Sequence, residues 1–333
     1  MSGRPCSRRE TIKLLTAVPA ICATVGPKAF QGSSTSARKG RVRLGGPLPT
    51  RSATADVRTG GAGSESDPLE QARAAKALGY RAMYCPQVEL ADKERLRAIE
   101  AASKAEDVVI AEVGAFGYNM LARDAEERKN ALDVMCDKLV IADEVGARCA
   151  VNISGFRGPD AQHRTHPENL TYVAFDMTVE NVRHIVDAVK PKRAKFTVEA
   201  MSWIIPDSPD SYVDLIKAVD RSSFAVHFDP VNIINSPRRH FENGKVLEEC
   251  FAKLGKWIMS CHGKDTLILP ESITHINEGR PGTGILDWKT FLRGVAALPN
   301  EPPIMMEHLR TQEEYLQARD YIFAQGKEIG ISF

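Results

Sequence analysis

Four short apolar runs of this 333-residue chain end in side chains that are costly to bury alone. They are Glu199 in FTVEAM, Asp229 in VHFDPVN, His262 in MSCHGKD and Glu307 in IMMEHL. Three carboxylates and an imidazole gathered at one point carry three negative charges, so without a cation at least one acid would have to be protonated. A divalent ion removes that conflict. Oxygen-rich coordination with a single His suits Mn²⁺ first, with Mg²⁺ or Co²⁺ also compatible, better than a structural Zn²⁺ site.

Other polar residues lie close to these four in sequence. His227 stands two residues before Asp229, and strand alternation sends it to the same side, as a base, a supporting group or a core histidine. Lys264 follows His262 by two and can neutralise a substrate oxygen. Asp265 can orient Lys264 or His262. Glu112 and Asn152 end two earlier runs and are candidate substrate contacts or loop caps. Arg280 can bind an anionic group or simply be solvated. Trp203 and Phe116 can form an apolar wall or belong to the core. His163 and His166, on a polar loop without partners, read as solvated rather than as metal ligands.

Positioning such residues requires parallel strands. From Arg41 on, apolar runs alternate with amphipathic stretches. The pattern predicts strands at 41–44, 81–85, 108–113, 149–153, 196–199, 224–228, 257–261 and 303–306. It predicts helices at 69–78, 92–105, 124–145, 178–189, 208–219, 242–254, 287–296 and 312–324. Asp67-Pro68 supplies a cap with Pro at the first helical position, and Gly79 and Gly146 supply stops. Runs such as VVIAEV and FAVHFD are continuously apolar, as strands covered on both faces are. Eight strand–helix units in strict alternation predict an α/β fold, a single (β/α)₈ TIM barrel over 41–333. An open doubly wound sheet is the alternative, but no dinucleotide fingerprint follows the first strand. In a barrel, the C-terminal strand ends are where active sites are built, and strands five to eight are neighbours.

Residues 1–40 are set apart. Ser7-Arg8-Arg9-Glu10-Thr11-Ile12-Lys13 precedes an apolar run from Leu14 to Val25, the pattern of a twin-arginine export signal. Thr11 stands where Phe is usual and Pro19 interrupts the run, so a basic tail on a cytoplasmic protein is the alternative. The Gly60–Gly63 stretch lacks the Lys-Ser/Thr of a phosphate loop and reads as flexible. A net charge of +1 gives no electrostatic case for nucleic acid. Seven scattered cysteines without a CxxC pair argue against disulfides and Cys-based zinc. No apolar run reaches about 18 residues, which predicts no membrane insertion.

The ordered set of Val198-Glu199, Phe228-Asp229-Pro230-x-Asn232, Cys261-His262-Gly263-Lys264-Asp265, Pro281-Gly282-x-Gly284-x-x-Asp287-Trp288 and Met306-Glu307 resembles the xylose-isomerase-like (β/α)₈ superfamily. Ala111–Gly114 and Val151–Gly155 add to the likeness. That group holds sugar and sugar-phosphate isomerases and epimerases, inosose dehydratases and an AP-endonuclease branch. The resemblance implies metal ligation by Glu199, Asp229, His262 and Glu307, with Glu199 and Glu307 also moving the proton. It implies a small sugar substrate and self-association in some members. Three positions depart from the epimerases. Asn232 stands where many place a His that touches substrate, Ile205 where they carry a second acid, and Thr283 where Glu is common. The nine-ligand zinc pattern of AP endonucleases is not evident, which argues against DNA repair. The expectation is a divalent-metal isomerase or epimerase acting through an enediolate. A lyase or dehydratase on a keto-sugar, inosose or 3-keto-glycoside is the second reading. A non-catalytic sugar-binding barrel is the third.

Overall fold

The computed structural model describes residues 40–48 and 66–333. The export-signal motif and the Gly60–Gly63 stretch lie outside the described residues. Eight parallel strands are hydrogen-bonded in sequence around a barrel. They are β1 (Leu44–Gly45), β2 (Ala82–Met83), β3 and β4 (Val109–Ile110 and Glu112–Gly114), β5 (Cys149–Ile153), β6 (Lys195–Glu199), β7 (Phe224–Phe228), β8 (Ile258–Gly263) and β11 (Ile304–Met306). β3 and β4 are one strand interrupted at Ala111. β3 pairs with β2 and β4 with β5, so the two ends of the ladder are the same piece of chain and the barrel closes. Closure leaves the barrel sheet without an unpaired edge among the described residues.

The helices lie where the periodicity places them. α1 (Pro68–Ala77) starts at Asp67, whose carboxylate accepts from the amides of Leu69 and Glu70. α2 (Lys93–Glu106), α3 (Ala125–Val145), α4 (Tyr172–Val189) and α5 (Pro209–Val219) follow their strands in turn. α8 (Asn243–Leu254), α9 (Trp288–Ala296) and α10 (Gln312–Glu328) complete the ring. α4 begins six residues before the expected 178, because Thr171 caps it through the amide of Ala174. Each helix buries its apolar stripe against the strands. The core includes Phe196, Phe224, Phe228, Leu215, Leu247 and Phe291.

Three features go beyond the expected pattern. Two short helices, α6 (Pro230–Ile233) and α7 (Pro237–Phe241), follow β7 directly. Each opens with a capping Asp or Ser followed by Pro. An antiparallel hairpin, β9 (Asp265–Ile268) with β10 (Ile276–Gly279), leaves the end of β8. Between Val226 and His227 the partner on β8 jumps from Ile258 to Ser260, skipping Met259. Irregular pairing of this kind re-aims side chains beside functional sites. No helix among the described residues is long and apolar enough to cross a membrane.

Candidate metal centre

β6, β7, β8 and β11 are adjacent in the barrel and end at one level. Pairing sets Glu199 opposite His227 and Met305 opposite His262. One potential ligand atom from each of Glu199, Asp229, His262 and Glu307 lies within 4.8 Å of every other. The four residues first marked in the sequence therefore do converge, and all are buried.

His262 organises the group through both ring nitrogens. Nδ1 faces Glu307 Oε1 at 3.0 Å, Glu199 Oε1 at 3.2 Å and Asp229 Oδ2 at 3.9 Å. Nε2 lies 3.2 Å from Glu112 Oε1. Glu112 is held in turn by the hydroxyl of Ser260, which donates to Oε2 at 3.0 Å. Burial disfavours the imidazolium, but Glu307, Glu112 and Glu199 outweigh it and raise the His262 pKa well above the usual range.

Lys264 is 2% exposed, and its ammonium lies 2.6 Å from Asp229 Oδ2, 2.7 Å from Glu307 Oε1 and 3.0 Å from Glu278 Oε2. Burial acts against its charge, and these carboxylates together with Glu199 more than restore it. Glu278 reaches down from β10 and also bonds His308 Nδ1 at 3.0 Å. Burial opposes ionisation of Glu278, yet His308 and Lys264 hold its pKa at about 2. Burial pushes Glu199 up to about 7. Glu307 goes the other way: burial opposes its charge, but His262 and Lys264 hold it well below the usual carboxylate range.

Charge and lone pairs test whether an ion belongs here. Four carboxylates, Glu112, Glu199, Asp229 and Glu307, surround two cationic groups, so the cluster is short of positive charge. Asp229 Oδ2 and Glu307 Oε1 are buried without a hydrogen-bond partner, although both lie at ion-pair distance from Lys264. A carboxylate oxygen offers more than one lone pair, so these cations leave acceptor capacity for an ion. Three carboxylates and one imidazole, with the imidazole's far nitrogen on another carboxylate, form a donor set that fits a divalent ion.

The remaining expected site residues separate by depth. Asn232, on α6, donates to Glu199 Oε1 at 2.9 Å and borders the cleft above the cluster. His227 does point into the barrel, but two strand residues below Asp229, about 6.6 Å at the usual rise. It is fully buried, edge-on to His262 with ring centroids 4.2 Å apart, and burial lowers its pKa to about 4. Buried there, the ring packs against His262, as the supporting or core histidine of its sequence reading would. Three other expected site residues make their hydrogen bonds within the fold. Glu112 is spent on His262 and Ser260. Asn152 donates to Tyr118 O and accepts from the amide of Ile153. Asp265 accepts from the amides of Thr266, Gly282 and Leu286, so it fastens a loop rather than Lys264 or His262. A strand end brings a side chain to the barrel top without saying whether its polar atoms face the cleft or the next loop. Arg280 bonds Pro281 O on that same loop. His163 pairs with Asp160 on the surface, and Phe116 is half-exposed.

Sequence reasoning missed Glu278, Ser260 and His308. Ser260 lies two residues before His262 on the same strand, an alternation that could have found it. Glu278 had no such signal, because the hairpin that carries it was not foreseen.

Above the cluster opens a cleft of about 870 Å³, lined by residues including Arg164, Trp203, Asn232, Asn235, Asn277 and Glu278. Its bordering groups are amides, hydroxyls and aliphatic side chains, with one indole, one guanidinium and one carboxylate.

A family model described as xylose isomerase-like TIM barrel matches residues 72–325. Among solved structures, a xylose isomerase-like TIM barrel protein from Mycobacterium smegmatis in complex with magnesium is 16% identical. That alignment covers 86% of this chain and 97% of the other, with a TM-score of 0.60. A 3-keto-D-glucoside 4-epimerase from E. coli, in its apo form, is 14% identical over 86% of this chain and all of its own length, with a TM-score of 0.56. Endonuclease IV from Thermus thermophilus is 15% identical over 86% and 99%, with a TM-score of 0.61. At these identities the likeness establishes the fold alone. No curated protein matches the chain in sequence.

Proposed function

Because the chain belongs to the xylose isomerase-like TIM-barrel family, we propose that it is a divalent-metal-dependent isomerase or epimerase of a sugar derivative, working by proton abstraction next to a carbonyl. The observation that carries the reading is the meeting of Glu199, Asp229, His262 and Glu307 at the ends of four neighbouring strands, beneath a polar cleft. These four would hold the ion, with Mn²⁺ the proposed occupant. When bound, it supplies a Lewis acid for the carbonyl and for the oxyanion that follows loss of the proton.

The chain's own residues do the rest. Glu307, held ionised by Lys264 and His262, would accept the proton from the carbon beside the carbonyl. Glu199, fixed by Asn232, would return a proton. Lys264 keeps Asp229 and Glu307 together, and Glu112 with Ser260 holds the His262 ring. Return of the proton to the opposite face gives an epimer. Return to the other carbon gives an isomer.

A second reading, β-elimination by a lyase or dehydratase, shares the first step and is favoured by one observation. At position 232 an amide stands where a ketose epimerase would have an imidazole, and it is already committed to Glu199. The E. coli neighbour is a 3-keto-D-glucoside 4-epimerase, which brings keto-glycosides into the substrate range to be tried. Residues 1–40 are proposed as a twin-arginine leader for export of the folded barrel, which would serve as the catalytic domain from residue 41.

Proton exchange followed by NMR in D₂O tests both readings. The panel comprises ketoses, keto-glycosides and inososes, with Mn²⁺ present and then chelated. Metal-dependent deuterium uptake with an epimer or isomer supports the first. Uptake with loss of water or aglycone selects the second. No exchange with any compound refutes both and leaves a sugar-binding barrel.

A further inference from the structure

The cleft above the cluster exceeds what one sugar ring needs. Pockets for drug-sized ligands run from roughly 300 to 1,000 Å³, and at about 870 Å³ this cleft stands near the upper end. Two of its lining residues, Asn232 and Glu278, bond members of the cluster directly. Arg164 and Trp203 line the same cleft from two different loops and make no hydrogen bond or ion pair with the cluster among the described residues.

Arg164 and Trp203 are built as a unit. The Arg164 guanidinium carbon stands 5.4 Å over the centre of the Trp203 ring. Among the described residues no carboxylate pairs with that guanidinium, which rests instead over the indole face. Behind them sits Asn169, 1% exposed, whose side-chain amide ties the two loops together. Its Nδ2 donates to Arg164 O at 2.7 Å and to Trp203 O at 3.2 Å, while its Oδ1 accepts from the amide of Arg157 at 2.7 Å. A buried amide with three bonds fixes both backbones at the cleft wall. The result is an indole overlaid by charged N–H donors, with Ser202, Asn235 and Asn277 along the same cleft. That combination suits a ring bearing hydroxyls or an aryl group. It does not suit a bare phosphate, which an isolated Arg over an indole would hold poorly against a cluster of carboxylates.

We propose that Arg164 and Trp203 form a second-ring subsite, which takes the ring carried beyond the glycosidic oxygen, sugar or aryl, while the first ring lies at the metal cluster. The substrate class is then a keto-glycoside rather than a free ketose. The inference rests on the proposed function for the first ring's position, but its test is separable from it.

Binding to the Mn²⁺-loaded full chain is measured by calorimetry with matched, unreactive pairs in the gluco and galacto series. Methyl β-glycosides are the one-ring probes. Phenyl β-glycosides and the corresponding β-linked disaccharides are the two-ring probes, distinguishing aryl from sugar. At least one two-ring probe is expected to bind about tenfold more tightly than its methyl partner. Trp203→Ala should abolish that ratio while leaving methyl glycoside affinity within about twofold, Trp203→Phe should retain most of it, and Arg164→Gln should reduce it. No two-ring advantage in any pair, or an advantage that survives Trp203→Ala, overturns the subsite. Deuterium exchange on the 3-keto forms of the same compounds reports separately on the chemistry. Exchange without a Trp203-dependent ratio sinks the subsite alone, and the ratio without exchange sinks the proposed reaction alone.

Discussion

Removing the charge of Glu112 should weaken metal binding about tenfold without unfolding the barrel. Glu112 is the hydrogen-bond partner of His262 Nε2, at 3.2 Å. In Glu112→Gln the amide oxygen can still accept that bond while its NH₂ turns to Ser260 Oγ, so shape is kept and charge is lost. A hydrogen bond to a charged group contributes about 1.5–3 kcal/mol against about 0.5–1.5 kcal/mol for a neutral one. The difference of about 1.4 kcal/mol is tenfold in Kd. One effect opposes this. Glu112 also helps hold a proton on His262, and that proton competes with the ion. The opposing effect is the smaller, because Glu307 and Glu199 remain to hold the proton and Glu307 contributes most among the carboxylates. The alanine variant, which also leaves Ser260 and His227 facing a void, should lose closer to a hundredfold. Competition titration of Mn²⁺ against a fluorescent chelator at pH 7.5 gives the Kd values, with circular dichroism confirming the fold. A Glu112→Gln protein that binds Mn²⁺ as tightly as the parent, or tighter, refutes the claim that this carboxylate orients the ligand histidine.

Three further outcomes follow from the same geometry. Lys264→Met should lower the melting temperature by on the order of 10 °C in EDTA, because uncompensated buried carboxylates cost about 3–5 kcal/mol, and by clearly less with Mn²⁺; equal losses in both would contradict the shared role of ammonium and ion. Chelation should itself destabilise the parent, since ion at a hundred times its Kd adds about 2.7 kcal/mol, and a melting temperature indifferent to Mn²⁺ in differential scanning fluorimetry would count against an ion in the cluster. Asp143 tests the acid limb of stability. Burial acts to raise its pKa, but the amides of Ala194, Arg193 and Lys192 lower it. A depressed folded pKa contributes stability above the unfolded value near 4, lost as pH falls through the folded value. Asp143→Asn should therefore cost about 1 kcal/mol at pH 7, after allowance for solvent screening, and progressively less as pH falls below the unfolded value; urea titrations showing an undiminished cost in acid would oppose this.

Much of this was legible in the sequence because strands buried on both faces announce themselves. A run such as FAVHFD has no polar residue except where the barrel interior or its rim needs one, so strand positions and the four converging side chains could be read together. Depth was not legible. His227 and Asp229 alternate to the same side, yet one lies under His262 and the other beside it, and a period of two cannot tell these apart. Direction was not legible for Asn152 and Asp265, since a polar residue after a strand can face the cleft or a loop amide equally well. The β9–β10 hairpin was hidden because HINEG carries no strand-like alternation. Its pairing comes from attachment to β8, a tertiary cause.

Asp265 changes what the Pro281–Trp288 segment can be taken to mean. Gly282, at φ +92°, donates its amide to Asp265 Oδ2, and a Cβ on Gly284 would collide with Thr266 O and Asp265 Oδ1. Asp287 then caps α9 through the amide of Thr290. None of these letters touches the ligand cluster, yet together they clamp the residue that immediately follows Lys264. The start of β9 is thus tied to a segment some twenty residues downstream. Such a loop is not an interchangeable part: transplanted between barrels without its matching aspartate, it would lose the acceptor that holds it to β9.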